Sequence, residues 1–196
     1  MVAALNIEKD HLFVGTLPNG CASNYTLASR LGHIIQKAEQ LYGPRDQTYT
    51  ILGVEIGGDI PMVWYPDNCR HVIVRITESS ATNVMRAAYQ MAHEAIHLLS
   101  PTGKKGTTVL EEGLATHFSA RYMREHLNSR NWHATEASYT HACQLIEELL
   151  TLDSEAIRLL RQVKPSMAET TADDLVSVLP SISTELANSL TMQFQR

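Results

Sequence analysis

Cysteine is scarce. The three present, Cys21, Cys69 and Cys143, are odd in number, far apart and without a C-x-x-C pair, which excludes a disulfide framework and a thiolate zinc knuckle. Cys143 falls in an apolar helical pattern and is expected in the core. Long apolar runs are missing as well: nothing approaches the roughly 18 unbroken apolar residues of a membrane span. Positive charge is sparse, with 16 Lys and Arg against 21 Asp and Glu for a net charge of −5, and the longest basic run is the pair Lys104 and Lys105. Such a chain has little purchase on a phosphate backbone, so neither nucleic acid nor membrane is an expected partner. The opening MVAALNIEKD places Glu8, Lys9 and Asp10 after a short apolar start. It lacks the apolar stretch of a secretory signal, and the cytoplasm is the expected compartment.

The 196 residues suit one domain with a core of its own, and 44% hydrophobic with 19% charged residues is ordinary for a folded chain. We expect a single domain over 1–196 in three parts: a helix plus sheet (1–79), a pair of helices (80–128) and a helical C-terminal part (129–196). In residues 24–44 the apolar positions Leu27, Leu31, Ile34, Ile35, Ala38 and Leu41 recur at helical spacing until Gly43 and Pro44. TYTILGVEI (48–56), PMVWY (61–65) and HVIVRIT (71–77) are β-branched and aromatic, with turn signals between them, and predict three strands. From Ser80 to Leu99 the period is helical again, and it is so over 109–127 and 134–153. Residues 154–196 predict short helices broken at Pro165 and Pro180.

The second predicted helix contains QMAHEAIHLLS, residues 90–100. Its H-E-x-x-H puts His93 and His97 four apart on one helical face, where both rings can reach one cation, with Glu94 beside them. Nine histidines and fourteen glutamates in 196 residues yield about 0.03 such motifs by chance. A catalytic zinc ion takes three protein ligands and leaves a fourth position to water, so a third ligand is needed.

The metzincin extension would require glycine at position 100 and histidine at 103, where Ser100 and Gly103 stand. A glutamate from the following helix is the other scheme. VLEEGLATHFS supplies Glu112, with fourteen residues between it and His97 and followed by Gly113. Thr108 and Glu111 fit a capping box, giving Glu111 a structural task. Gly113 early in a helix costs on the order of 1 kcal/mol relative to alanine, and close approach of the two metal helices is a reason for it. His117 is a rival ligand, but five residues from Glu112 it points about 140° away around the helix.

With H-E-x-x-H followed by E-G-L-A, residues 71–150 resemble the gluzincin branch of zinc metallopeptidases. The resemblance implies an α+β, zincin-like fold with a small mixed sheet, one strand of it at an edge above the active-site helix. HVIVRIT would be that edge strand, able to pair with an extended substrate. It also implies one Zn2+ held by His93, His97 and Glu112, with Glu94 as general base toward a peptide or unfolded-protein substrate.

ASYTHACQLIEELL, from Ala137, looks like the Tyr-initiated helix of aminopeptidase-like gluzincins, which implies Tyr139 as the oxyanion donor. Ala142 departs from the glycine frequent there, and an ordinary interfacial tyrosine is the alternative. Tyr122, His133 and His141 are further candidates that read more simply as structural or surface residues. Thr116 and Ser119 are either partners of the metal site or hydroxyls satisfied within their helix. Lys104 and Lys105, between Gly103 and Gly106, suit a solvated loop tip. The G-x-M-E-N motif that binds a free amine is absent, which argues against exopeptidase action. Two other readings stay open: a zincin-fold module that binds peptide or protein with little turnover, and a regulatory protein whose residues 171–196 occupy the cleft or form an oligomer contact.

Overall fold

The computed structural model describes residues 24–67, 70–103 and 106–196. The first described helix, α1 (Asn24–Tyr42), buries the apolar stripe of Leu27, Leu31, Ile34, Ile35 and Ala38. It stops where Gly43 adopts φ +90°, a conformation that suits glycine, and donates its N–H to the Glu39 carbonyl at 2.9 Å. Three strands follow: β1 (Thr50–Ile56), β2 (Met62–Trp64) and β3 (His71–Ile76). In β3 every second residue, Val72, Val74 and Ile76, is fully buried, as the two-residue period of a strand over a core demands.

The sheet order is β1-β3-β2, with β1 and β3 parallel and β2 antiparallel to β3. HVIVRIT is therefore the central strand, not the edge, and β1 and the short strand MVW form the two edges. Burial explains the exchange, because β3 alone turns a fully buried apolar row to the helices while β2 is exposed to half-buried. The observed class is α+β, with a small mixed sheet and seven α-helices among the described residues.

Helix α2 (Val84–His97) starts later than its apolar period suggests. A 3-10 turn occupies Glu78–Ser80, and the Asn83 side chain caps the helix by accepting from Arg86 N at 2.9 Å. Helix α3 (Val109–His126) is capped by Thr108, and α4 (Ala137–Leu152) follows it. The short helices α5 (Ala156–Val163), α6 (Ala172–Val178) and α7 (Thr184–Thr191) are separated near Pro165 and Pro180 as predicted. Buried apolar residues from Leu27 to Leu190 form one cluster, so the last helices share the core of the first. No helix among the described residues is long and apolar enough to cross a membrane.

A buried cation ties the ends of two helices together. The Arg161 guanidinium donates to the carbonyls of Tyr42 (2.7 Å), Gly43 (2.9 Å), Pro44 (2.9 Å) and Leu99 (3.2 Å). It thereby satisfies carbonyls at the ends of α1 and α2 and holds them to α5.

Candidate metal centre

The last two turns of α2 carry His93, Glu94 and His97, and the first turn of α3 carries Glu111 and Glu112. The loop between them brings the two helices together. His93 Nε2 lies 3.1 Å from Glu112 Oε2, and His97 Nε2 lies 3.8 Å from Glu112 Oε1. One ligand atom from each of the three residues lies within 4.8 Å of the other two. A tetrahedral ion bonded at about 2.1 Å spaces its donors by about 3.4 Å, so two imidazole nitrogens and a carboxylate at these separations fit a divalent ion. The three side chains can hold a metal, as the motif spacing predicts.

The cluster is braced from outside. Glu111 does not spend its carboxylate on the helix start: its Oε1 accepts from His97 Nδ1 at 2.9 Å. This corrects the capping-box expectation in half, since Thr108 does cap the Glu111 N–H at 3.3 Å. The Nδ1 bond leaves Nε2 directed at Glu112, the arrangement by which a carboxylate orients a metal-binding imidazole. Thr107 Oγ1 donates to Glu112 Oε1 at 2.8 Å and steadies the third member of the cluster. Neither partner is recoverable from spacing alone, although the E-E doublet is a signal for the first.

Electrostatics follow from this crowding. Burial pushes the Glu94 carboxyl above its ordinary range, an effect that the nearby His97 and His93 offset only in part. Burial also opposes charge on Glu112, but the His93 hydrogen bond and the two imidazoles outweigh it and bring its pKa down to about 2. For His97, burial is outweighed by the Glu111 bond and by the carboxylates of Glu111, Glu112 and Glu94, and its pKa rises to about 10. A metal held at Nε2 would supply the compensating charge in place of that proton.

Gly113 serves a different contact from the one expected. A Cβ there would meet the Ala142 carbonyl carbon at 2.8 Å and Ile146 Cγ1 at 2.9 Å, so the glycine admits α4 rather than α2. That approach brings Tyr139 to the site, with its ring edge-on to His93 at a centroid distance of 5.8 Å. Burial raises the Tyr139 hydroxyl to about 12, with the charge of Glu112 adding to the shift.

The remaining candidates lie elsewhere or are otherwise occupied. His117 is half-buried, with Nδ1 lacking a partner, and burial lowers its pKa to about 4. The Tyr122 hydroxyl sits 2.8 Å from His33 Nδ1 and accepts from Arg30 at 3.2 Å. Thr116 Oγ1 donates to the Glu112 carbonyl and Ser119 Oγ to the Thr116 carbonyl, so both are satisfied within their helix. His141 is exposed on α4, while His133, also exposed, borders a cavity beside His93. Cys143 is half-buried against Glu147 rather than in the core. Cys21, Cys69, Lys104 and Lys105 lie outside the described residues.

Two adjoining cavities open on the cluster. One of about 330 Å³ runs along Tyr89, His93, Glu94, Trp132 and Tyr139. The other, of about 620 Å³, contains His93, Glu94, His97 and Glu112 and is bordered by β2. Phe194 borders the larger cavity and Arg196 borders both, neither foreseen individually in the sequence. Fold and site together define an α+β protein with a candidate His-His-Glu metal centre at the floor of a cleft. Comparison of the chain with protein-family models, curated proteins and solved structures finds no match.

Proposed function

We propose that the chain is a zinc-dependent peptidase of gluzincin type on a zincin-like fold, hydrolysing peptide bonds in an extended or unfolded substrate. The observation that carries this reading is the convergence of His93, His97 and Glu112 with Glu94 buried beside them. Two imidazoles and a carboxylate are a donor set that zinc favours, and three protein ligands leave room for solvent. When bound, zinc supplies a polarising charge and lowers the pKa of a water toward about 7.

The chain's own residues supply the rest. Glu94 takes a proton from the attacking water as the water oxygen bonds to the carbonyl carbon. It then delivers that proton to the amide nitrogen as the C–N bond breaks. Burial favours the protonated form of Glu94, which suits a group that must hold the proton between the two events. Edge strand β2 borders the larger cavity, and an extended peptide can pair with such an edge. Tyr139, beside His93, is a candidate donor to the oxyanion.

The test is zinc content of the purified protein, followed by cleavage of an unstructured protein by wild type and Glu94→Gln. We expect one equivalent of zinc in both and cleavage by wild type only. A wild type that holds zinc yet cleaves nothing across a broad peptide library would replace this reading with that of a peptide-binding module.

A further inference from the structure

The two cavities share four bordering residues: Pro61, His93, Glu94 and Arg196. These four mark where the two cavities adjoin. His93 and Glu94 belong to the metal helix and Pro61 leads into β2, whereas Arg196 arrives from the far end of the sequence.

Its route is held by backbone. Gln193 bridges Thr108 in antiparallel fashion, through Val109 N–H to the Met192 carbonyl (2.9 Å) and Phe194 N–H to the Thr107 carbonyl (2.9 Å). Thr107 is the residue that steadies Glu112. The Phe194 ring packs on Tyr139 at 4.8 Å, and the Arg196 guanidinium lies 6.0 Å from the centre of the same ring. Among the described residues no carboxylate forms an ion pair with Arg196. The guanidinium instead donates to the Tyr139 hydroxyl and attracts the acid Glu94, which holds it where the chambers join.

We propose that Arg196 is a catalytic residue that donates to the oxyanion of the tetrahedral intermediate, an inference that rests on the peptidase reading. As the water oxygen bonds to the carbonyl carbon, the C=O π pair moves onto the carbonyl oxygen. The guanidinium N–H groups of Arg196 donate to that oxygen. When the pair returns, the C–N bond breaks and the amine leaves with the proton from Glu94. A charged, bidentate donor is suited to charge that develops only in the transition state. Tyr139 and Phe194 then act as the platform that aims the guanidinium.

The test uses the zinc-loaded full chain as wild type, Arg196→Ala, Arg196→Lys and Tyr139→Phe. Two probes share one peptide sequence: a phosphinic analogue, which carries a tetrahedral anion, and a neutral ketomethylene analogue. Affinities are measured by calorimetry, and kcat and KM on the parent peptide. Arg196→Ala is expected to lower phosphinic affinity by about 30-fold and kcat by about 100-fold. Its zinc content, ketomethylene affinity and KM should stay within about twofold of wild type, and Arg196→Lys should restore part of the loss. Equal loss for both analogues would make Arg196 a ground-state contact and overturn the proposal. Unchanged or increased turnover in Arg196→Ala would overturn it too, leaving residues 193–196 as a strap over the cleft. Wild type that cleaves beside an equally active Arg196→Ala defeats this inference alone. Zinc-loaded wild type that neither cleaves nor binds the phosphinic analogue defeats both readings.

Discussion

His97 Nδ1 donates to Glu111 Oε1 at 2.9 Å, so the residue preceding Glu112 orients an imidazole of the candidate metal cluster. The glutamate pair at the head of α3 therefore divides its work, one carboxylate facing both imidazoles in the candidate cluster and one bonded to the far side of His97. Replacing such an outer carboxylate typically costs 10- to 100-fold in metal affinity. Glu111→Ala should weaken metal binding by about that range, and Glu111→Gln, which keeps an acceptor oxygen, by less. Competition against a chromogenic chelator measures both. Equal affinities for wild type and Glu111→Ala would remove Glu111 from the site.

Gly113→Ala tests the approach of α4. The new methyl would lie within 3 Å of the Ala142 carbonyl carbon and Ile146 Cγ1, a contact that only a shift of backbone relieves. Overpacking of this kind costs about 1–3 kcal/mol, which urea unfolding can read. Because α4 carries Tyr139, the same variant should also disturb the site while keeping His93, His97 and Glu112.

Arg161 is buried and donates to carbonyls of four residues at the ends of α1 and α2 and in the turn after α1. Arg161→Met keeps much of the apolar stem but strands those acceptors. We expect a loss of about 3 kcal/mol in unfolding free energy. A midpoint within error of wild type would show that water or rearranged backbone satisfies them instead.

His117 gives stability a pH dependence. Burial, with the positive charges of Arg121 and Arg124, lowers its pKa in the folded chain to about 4, against about 6.5 when unfolded. Between these values the unfolded chain binds more protons, so the stability associated with the neutral buried ring is complete above pH 6.5. It is lost as pH falls from 6.5 through 4. At about 1.4 kcal/mol per unit, the effect is on the order of 3 kcal/mol. His117→Gln should flatten the pH dependence of unfolding free energy in that window.

Helix and strand positions were largely legible because each is written in a local period. The stripe of α1, the alternation of β3 and the breaks near Pro165 and Pro180 all depend on neighbours a few residues apart. Strand order was not legible. Whether HVIVRIT or PMVWY lies at the edge depends on which strand buries its face against helices distant in sequence, and β3 took the centre. The capping reading of Glu111 failed for a related reason. A carboxylate near a helix start serves a backbone N–H or a nearby imidazole equally well, and the position of His97 decides.

The candidate metal cluster of His93, His97 and Glu112 was legible in the sequence itself, because helical spacing sets the first two on one face and a glutamate at the head of the next helix supplies the third. What the tertiary structure alone decided is everything that converges on them from elsewhere: Glu111 and Thr107 as braces, Tyr139 brought in over Gly113, and Arg196 carried back by a backbone bridge to Thr108. Local periodicity records which way a side chain faces on its own element. Only the packing of elements far apart in the chain fixes what that side chain meets.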